Sequence, residues 1–197
     1  MLPQEHYKSV QRRLEELAKT NQIKSVLELG CGPGYYMKHL LAQGYDAYGI
    51  DACSSKFLPE IRGRLKDGDL TALKDIFGDS VFDLILSHNT LTVDPILWNM
   101  LGGNMFDDHT GSGLVLANFK GLLHSPSLNA EMRGLARQTI EKILEVSFQQ
   151  LKPGGFLVSC EEGEPNDKVD FSREAAERIG YHVLLYEQRE AVLQKPK

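Results

Sequence analysis

Val26-Leu-Glu-Leu-Gly-Cys-Gly-Pro-Gly34 is an apolar run that holds one acid and then breaks into glycines at positions 30, 32 and 34. Val26, Leu27 and Leu29 read as a buried strand. The three alternate glycines let the backbone turn sharply and approach a ligand where any Cβ would collide. A helix from about Tyr35 to Gln43, closed by Gly44, starts just beyond the turn, so its first N–H groups point back at whatever the turn holds. Tyr48-Gly-Ile-Asp51 then reads as the end of a second strand that stops on an acid. Strand, glycine turn, helix, strand and acid together predict a parallel α/β unit with its ligand at the carboxyl ends of the strands.

The spacing of the glycines narrows the ligand. A dinucleotide fingerprint needs its third glycine three residues after the second, which here falls on Tyr35, and a bulky ring there spoils the close approach of a pyrophosphate. A phosphate loop of the Walker type closes on Gly-Lys-Ser or Gly-Lys-Thr, and neither tripeptide occurs in the chain.

What remains, Glu28-x-Gly-x-Gly-x-Gly34, resembles the first motif of the class I methyltransferases that use S-adenosylmethionine, and further pieces of that pattern follow in order. The resemblance implies that Glu28, Gly30, Cys31, Gly32 and Gly34 back the methionyl part of the cofactor. Asp51, with Ala52 behind it, takes the place of the acid that ends strand 2 and holds the ribose hydroxyls; a carboxylate suits a vicinal diol because it accepts two charge-assisted hydrogen bonds. Asp69, in Lys66-Asp-Gly-Asp-Leu70, resembles the acid that reads the adenine amine, with the Leu70 N–H facing the ring; Asp67 is an alternative. Phe82-Asp-Leu-Ile-Leu-Ser-His-Asn89 resembles the strand 4 motif, which places Ser87 beside the cofactor and His88 and Asn89 towards the methyl acceptor. Leu151-Lys-Pro-Gly-Gly-Phe-Leu-Val158 resembles the turn into strand 5. The implied fold is a Rossmann-like, doubly wound sheet of seven strands in the order 3-2-1-4-5-7-6 with strand 7 antiparallel. Its product ligand would be S-adenosylhomocysteine. Asp51 and Asp69 also read as helix N-caps, a role that Asp favours.

Around these motifs, strands and helices alternate. Tyr7, Val10, Leu14 and Leu17 stand at helical spacing, so an amphipathic helix is expected within residues 1–22, covering the cofactor. Pro59 weakens a helix between strands 2 and 3. A helix is expected from about Thr71 to Phe77, and a long one from Leu128 to Gln150 capped by Ser127. Helix Ser172–Ile179 and strands Tyr181–Tyr186 and Ala191–Gln194 complete the sheet. Residues 95–126 form an insert after strand 4, with glycines at 102, 103, 111, 113 and 121 among Trp98, Met105, Phe106 and Phe119. Loops of this length inside a compact domain are usually lids or binding loops, which predicts a substrate lid over the acceptor; an oligomer interface is the competing reading.

Composition is that of one globular domain over residues 1–197, with 42% hydrophobic and 25% charged residues. Net charge is −5, and the basic patches Arg62-Arg64-Lys66 and Lys8-Arg12-Arg13 are short, so nucleic acid is a disfavoured partner. The chain also lacks a base-flipping Asn-Pro-Pro-aromatic motif after strand 4. No charged-then-apolar leader or run of bilayer length appears, which predicts a cytoplasmic protein that does not bind membranes. Cys31, Cys53 and Cys160 give neither a disulfide framework nor a zinc pattern. The acids Glu161, Glu162, Glu164 and Asp167 lack a His partner pattern, so no metal is expected.

The expected activity is methyl transfer to an oxygen or nitrogen of a small molecule, with His88 as base or orienter and His109 and His124 as weaker candidates. Two alternatives stand beside it: a protein or peptide acceptor, and a cofactor-binding protein of this fold that transfers nothing. Nothing in the sequence sets the oligomeric state.

Overall fold

The computed structural model describes residues 7–52, 54–79, 81–91, 96, 126–161 and 169–197. The chain runs through α1 (Lys8–Ala18), β1 (Ser25–Leu29), α2 (Tyr35–Ala42), β2 (Asp46–Asp51) and β3 (Leu65–Asp67), then α3 (Leu73–Phe77) and β4 (Phe82–His88). The long α4 (Pro126–Gln150) leads into β5 (Leu151–Cys160), followed by α5 (Arg173–Ile179), β6 (His182–Tyr186) and β7 (Glu190–Gln194). All seven strands form one sheet in the order β3-β2-β1-β4-β5-β7-β6. The first five are parallel, and β7 runs antiparallel to both β5 and β6. That is the fold the motifs imply. The insert expected at 95–126 lies, apart from Ile96 and the start of α4, outside the described residues, as do His109, His124 and Cys53.

Alternation along the strands divides the core between two faces. Leu27, Leu29, Ile85 and Leu157 join residues of α3, α4 and α5 on one side, while Val26, Leu84, Leu86 and Val158 pack with α1 and α2 on the other. The parallel strands are buried on both faces, which is why they read as nearly continuous apolar runs. Helix α1 turns Val10 and Leu14 inward, as its spacing predicts. It is tied across the sheet by Arg12 and Arg13, which both reach Glu190 on β7, and by the Tyr36 hydroxyl, which donates to Gln11 Oε1 at 3.0 Å.

Local signals set most element ends. Gly44 follows α2 at φ 89°, and Ser172 caps α5 by accepting from the Ala175 N–H at 3.0 Å. Pro59 limits the β2–β3 connection to short 3₁₀ turns at Ser54–Lys56 and Pro59–Arg64. The segment expected as a helix from Thr71 is a 3₁₀ turn (Leu70–Ala72) followed by α3. Two expectations are corrected. Helix α4 starts at Pro126, so Ser127 lies inside it and is not its cap; the fixed φ of proline suits a first helical position, where no N–H is required. Lys152–Gly155 is also more than a turn before strand 5. Leu151 already pairs with Phe82, the chain bulges, and pairing resumes at Phe156 with Leu84. The Gly154 backbone, at φ 80°, gives the bulge its bend and donates to Lys195 O at 2.9 Å.

Among the described residues no helix is long and apolar enough to cross a membrane.

Candidate active site

The carboxyl ends of β1 and β4 are where the direction of strand succession reverses, and the open crevice of a doubly wound sheet lies there. The glycine loop fills one side of it. Gly30, Gly32 and Gly34 have φ of 65°, 52° and 90°, all in the left-handed region, so the alternation seen in the sequence is a backbone requirement. A Cβ on Gly30 would lie 2.2 Å from Thr90 Oγ1, and one on Gly34 would lie 2.8 Å from Leu65 Cδ1. The Cys31 N–H donates to Ile50 O at 3.1 Å, and the Gly32 N–H donates to Asp51 Oδ2 at 2.9 Å. The acid at the end of β2 thereby holds the loop at the end of β1.

Beneath the loop sits Glu28, 2% exposed, with Oε2 buried and without a hydrogen-bond partner. Burial, and then the nearby Asp51 carboxylate, push its carboxyl well above the usual range. Burial and then the Glu28 and Asp51 carboxyls also push the Cys31 thiol up, which disfavours the thiolate that a nucleophilic cysteine needs. Its sulfur fits because Gly49 lies opposite; a Cβ there would stand 2.7 Å from Cys31 Sγ.

The other sequence-derived residues divide. His88 ends β4 on the α1 side, nearly buried, and its ring meets the Tyr7 ring at 4.7 Å between centroids. Asn89 follows at φ 52°, a conformation Asn tolerates better than most residues, and its N–H donates to Cys160 O at 3.0 Å. Ser87 is fully buried, but strand alternation turns its hydroxyl to the α4 face, away from Glu28 and His88. Asp69 is exposed and caps the turn after β3, accepting from the Thr71 N–H at 2.8 Å through Oδ1. Asp67 is exposed and pairs in register with Asp51, Ala52 is exposed, and Leu70 is half-buried against the core. Glu161 is buried and accepts from Ser159 Oγ at 3.0 Å, whereas Glu162, Glu164 and Asp167 lie outside the described residues. Among the described residues no group of three or more His, Cys, Asp or Glu stands ready for a metal.

Two residues of this end were not singled out from the sequence. Thr90 Oγ1 lies 3.2 Å from Leu29 O and 3.0 Å from His88 O, bridging the tips of β1 and β4. Its only sequence signal is its place just past strand 4. Tyr7 was read merely as one apolar position of a helix. Its ring stacks on Tyr36 at 4.7 Å and 6°, besides touching His88. Burial, then Glu28 and Cys31, push its phenol up, so the hydroxyl sits within the electrostatic reach of the glycine loop while the ring meets the strand 4 side. Only the tertiary fold brings them together.

Residues 4–92 match the family model described as a methyltransferase domain. That match takes in the glycine loop and the strands on either side of it, and the strand order is that of the Rossmann-like methyltransferase fold. Solved methyltransferases share its fold. The sugar N-methyltransferase KedS8 from Streptoalloteichus sp. ATCC 53650 is 14% identical, with a TM-score of 0.56; the alignment covers 98% of this chain and 87% of that one. The N-methyltransferase NodS from Bradyrhizobium japonicum WM9 is also 14% identical, with a TM-score of 0.51, and the alignment covers 100% of this chain and 98% of that one. The chain spans 64% of the length of CalS10, an amino pentose methyltransferase from Micromonospora echinaspora that is 16% identical over 98% of this chain, with a TM-score of 0.48. No curated protein sequence matches it.

Proposed function

We propose that this enzyme methylates a nitrogen or oxygen of a small molecule, with S-adenosylmethionine held between the glycine loop and Asp51 and the acceptor placed at His88. The observation that carries the reading is the cradle itself. Three left-handed glycines expose the loop backbone, Asp51 holds the loop through Gly32, and a buried acid with an unpartnered oxygen lies beneath. These residues fit a ligand that brings both a diol and a positive charge. Asp69, exposed beyond β3, is the adenine-side acid, and Leu70 and Ala52 flank that end. Ser87 contributes through its backbone, since its hydroxyl faces the other side of the sheet. KedS8 and NodS, named as N-methyltransferases, support a nitrogen acceptor. The whole chain acts as one domain.

When bound, the cofactor supplies an activated methyl group on a sulfonium. The protein then has little covalent chemistry to perform. Its task is to hold an acceptor lone pair in line and to exclude water, which is where effective molarity gives its acceleration. Tyr7 and Tyr36 wall the crevice on the α1 side, and the Tyr7 ring fixes the plane of His88. The His88 imidazole accepts the proton that the acceptor loses, and Asn89 follows it at the end of β4 as a second residue on the acceptor side.

Calorimetric titration of ligand-free protein with S-adenosylhomocysteine, followed by transfer of labelled methyl groups to amines, phenols and carboxylates, tests this. The expected result is one-to-one binding and transfer to an amine class. His88→Ala should leave that affinity unchanged and lower turnover by about 100-fold. Normal turnover in His88→Ala would sink the assignment of the base, and binding without transfer to any small molecule would favour a peptide acceptor or a non-transferase.

A further inference from the structure

Glu28 is an acid in an unusual setting. On β1 it pairs with Gly49 of β2 on one side and Leu86 of β4 on the other, and neither side chain offers a donor. Among the described residues no lysine, arginine or histidine forms an ion pair with it, and its Oε2 is buried without a partner. The titratable groups around it are nearly all acids themselves: Asp51 at the end of β2, Cys31 in the loop, Tyr7 ahead of α1 and Tyr36 on α2. From β4 comes His88, two residues beyond Leu86, the partner of Glu28, and from α2 comes His39, whose ring stacks on Tyr36. Cys160, opposite His88 on β5, completes the set.

An ionised carboxylate in such a place would cost several kcal/mol, and a group so placed stays neutral instead. A ligand that brings a cationic group into the cradle reverses the balance, because it supplies the opposite charge that the protein withholds. We infer that Glu28 is protonated in the ligand-free enzyme and gives up its proton to solvent when a ligand carrying an ammonium group enters, which makes the cradle selective for ligand charge. The inference rests on the reading of the loop as the cofactor cradle. The exchange balances: the Glu28 O–H bond breaks, the proton passes to buffer, and the carboxylate left behind faces the charge of the ligand. Burial and the Asp51 carboxylate both act in this direction. A site built this way rejects adenosine thioethers that lack the amino-acid part less by shape than by charge.

The test is calorimetric titration of ligand-free protein with S-adenosylhomocysteine in two buffers of different ionisation enthalpy, such as phosphate and Tris, between pH 6 and 8. The difference in heat counts protons. Wild type should release up to about one proton per ligand, and its affinity should rise by up to about tenfold per pH unit while Glu28 is protonated in the free enzyme. Glu28→Gln, which mimics the neutral acid, should bind more weakly at pH 8 and lose that pH dependence. 5′-Methylthioadenosine, which has no ammonium group, should bind wild type without releasing the proton. Any protons exchanged by His88 persist in Glu28→Gln, so the difference between the two proteins isolates Glu28. Binding of S-adenosylhomocysteine with equal heats in both buffers, or with the same proton release in Glu28→Gln, overturns the inference while leaving the cradle intact. Absence of binding in wild type instead overturns the cradle reading, and the inference with it.

Discussion

The two ends of this sheet treat a carboxyl group in opposite ways. At the amino ends of the strands, Asp83 of β4 accepts from the Lys24 and Ser25 N–H groups and from Ser25 Oγ through Oδ2, while Lys152 Nζ donates to Oδ1 at 2.7 Å. Partial burial pushes this carboxyl up, but the Lys152 ammonium and the Ser25 and Lys24 hydrogen bonds outweigh it and hold it below the usual range. At the carboxyl ends Glu28 has nothing comparable. One end is saturated with donors and ties β1, β4 and β5 together. The other leaves a buried acid under left-handed glycines, in the conformation least favourable for side chains. The satisfied end serves the fold, and the unsatisfied end is the one for which we propose a ligand.

The harshest test of that contrast is to fill the glycine loop. Gly32 sits at φ 52° with its N–H on Asp51, so Gly32→Val places a β-branched residue in the left-handed region and pushes bulk into the cradle. S-Adenosylhomocysteine binding should fall by more than about 100-fold by calorimetry, with the far-ultraviolet circular dichroism unchanged, since a loss of a few kcal/mol of ligand contact is a factor of this order. Binding within a few-fold of wild type would mean that the loop does not line the site.

Next in size is the stability of the ligand-free protein against pH, where the two carboxyls should act with opposite sign. The folded state raises the affinity of Glu28 for its proton, so its contribution is fully present below the unfolded carboxyl value and is lost as pH rises towards the folded one. Glu28→Gln removes that loss. In urea unfolding, the variant should be more stable than wild type at pH 7 and should converge with it at pH 4. A variant less stable at pH 7 would show that the carboxylate is ionised and partnered in the folded protein.

The sequence carried the framework further than the site. Alternating glycines, the acids at 28 and 51 and the run Phe82–His88 are local signals, and each fixes a strand end or a turn that the fold then shows. The Ser127 cap failed because Pro126 offers a competing start that needs no cap, and the β5 bulge was hidden because Lys152–Gly155 reads as a turn until its pairing partners are known. Tyr7 and Thr90 were out of reach for a different reason. Their meaning comes from residues at distant positions, Tyr36 and His88 for one and Leu29 for the other, and no periodicity records such meetings. Ser87 shows the reverse limit, because a motif can place a residue at the right strand end while alternation turns its side chain to the other face.

The smallest expected effect belongs to the saturated end. Asp83→Asn keeps the size of the side chain and part of its hydrogen bonding, but it removes the charge that answers Lys152. Because the Lys152 side chain is 41% exposed, solvent screens that pair and the charge itself is a modest contributor. The loss at pH 7 should be about 1 kcal/mol by urea unfolding, set mainly by the backbone donors of Lys24 and Ser25 that then face a neutral amide. Its pH dependence runs opposite to that of Glu28. Asp83 stabilises above the unfolded carboxyl value, and that contribution fades as pH falls through the lower folded value, so wild type and Asp83→Asn should converge in acid and separate at neutrality. A separation that instead widened in acid would show Asp83 to be a buried, strained acid of the Glu28 kind, and the contrast between the two ends of the sheet would disappear.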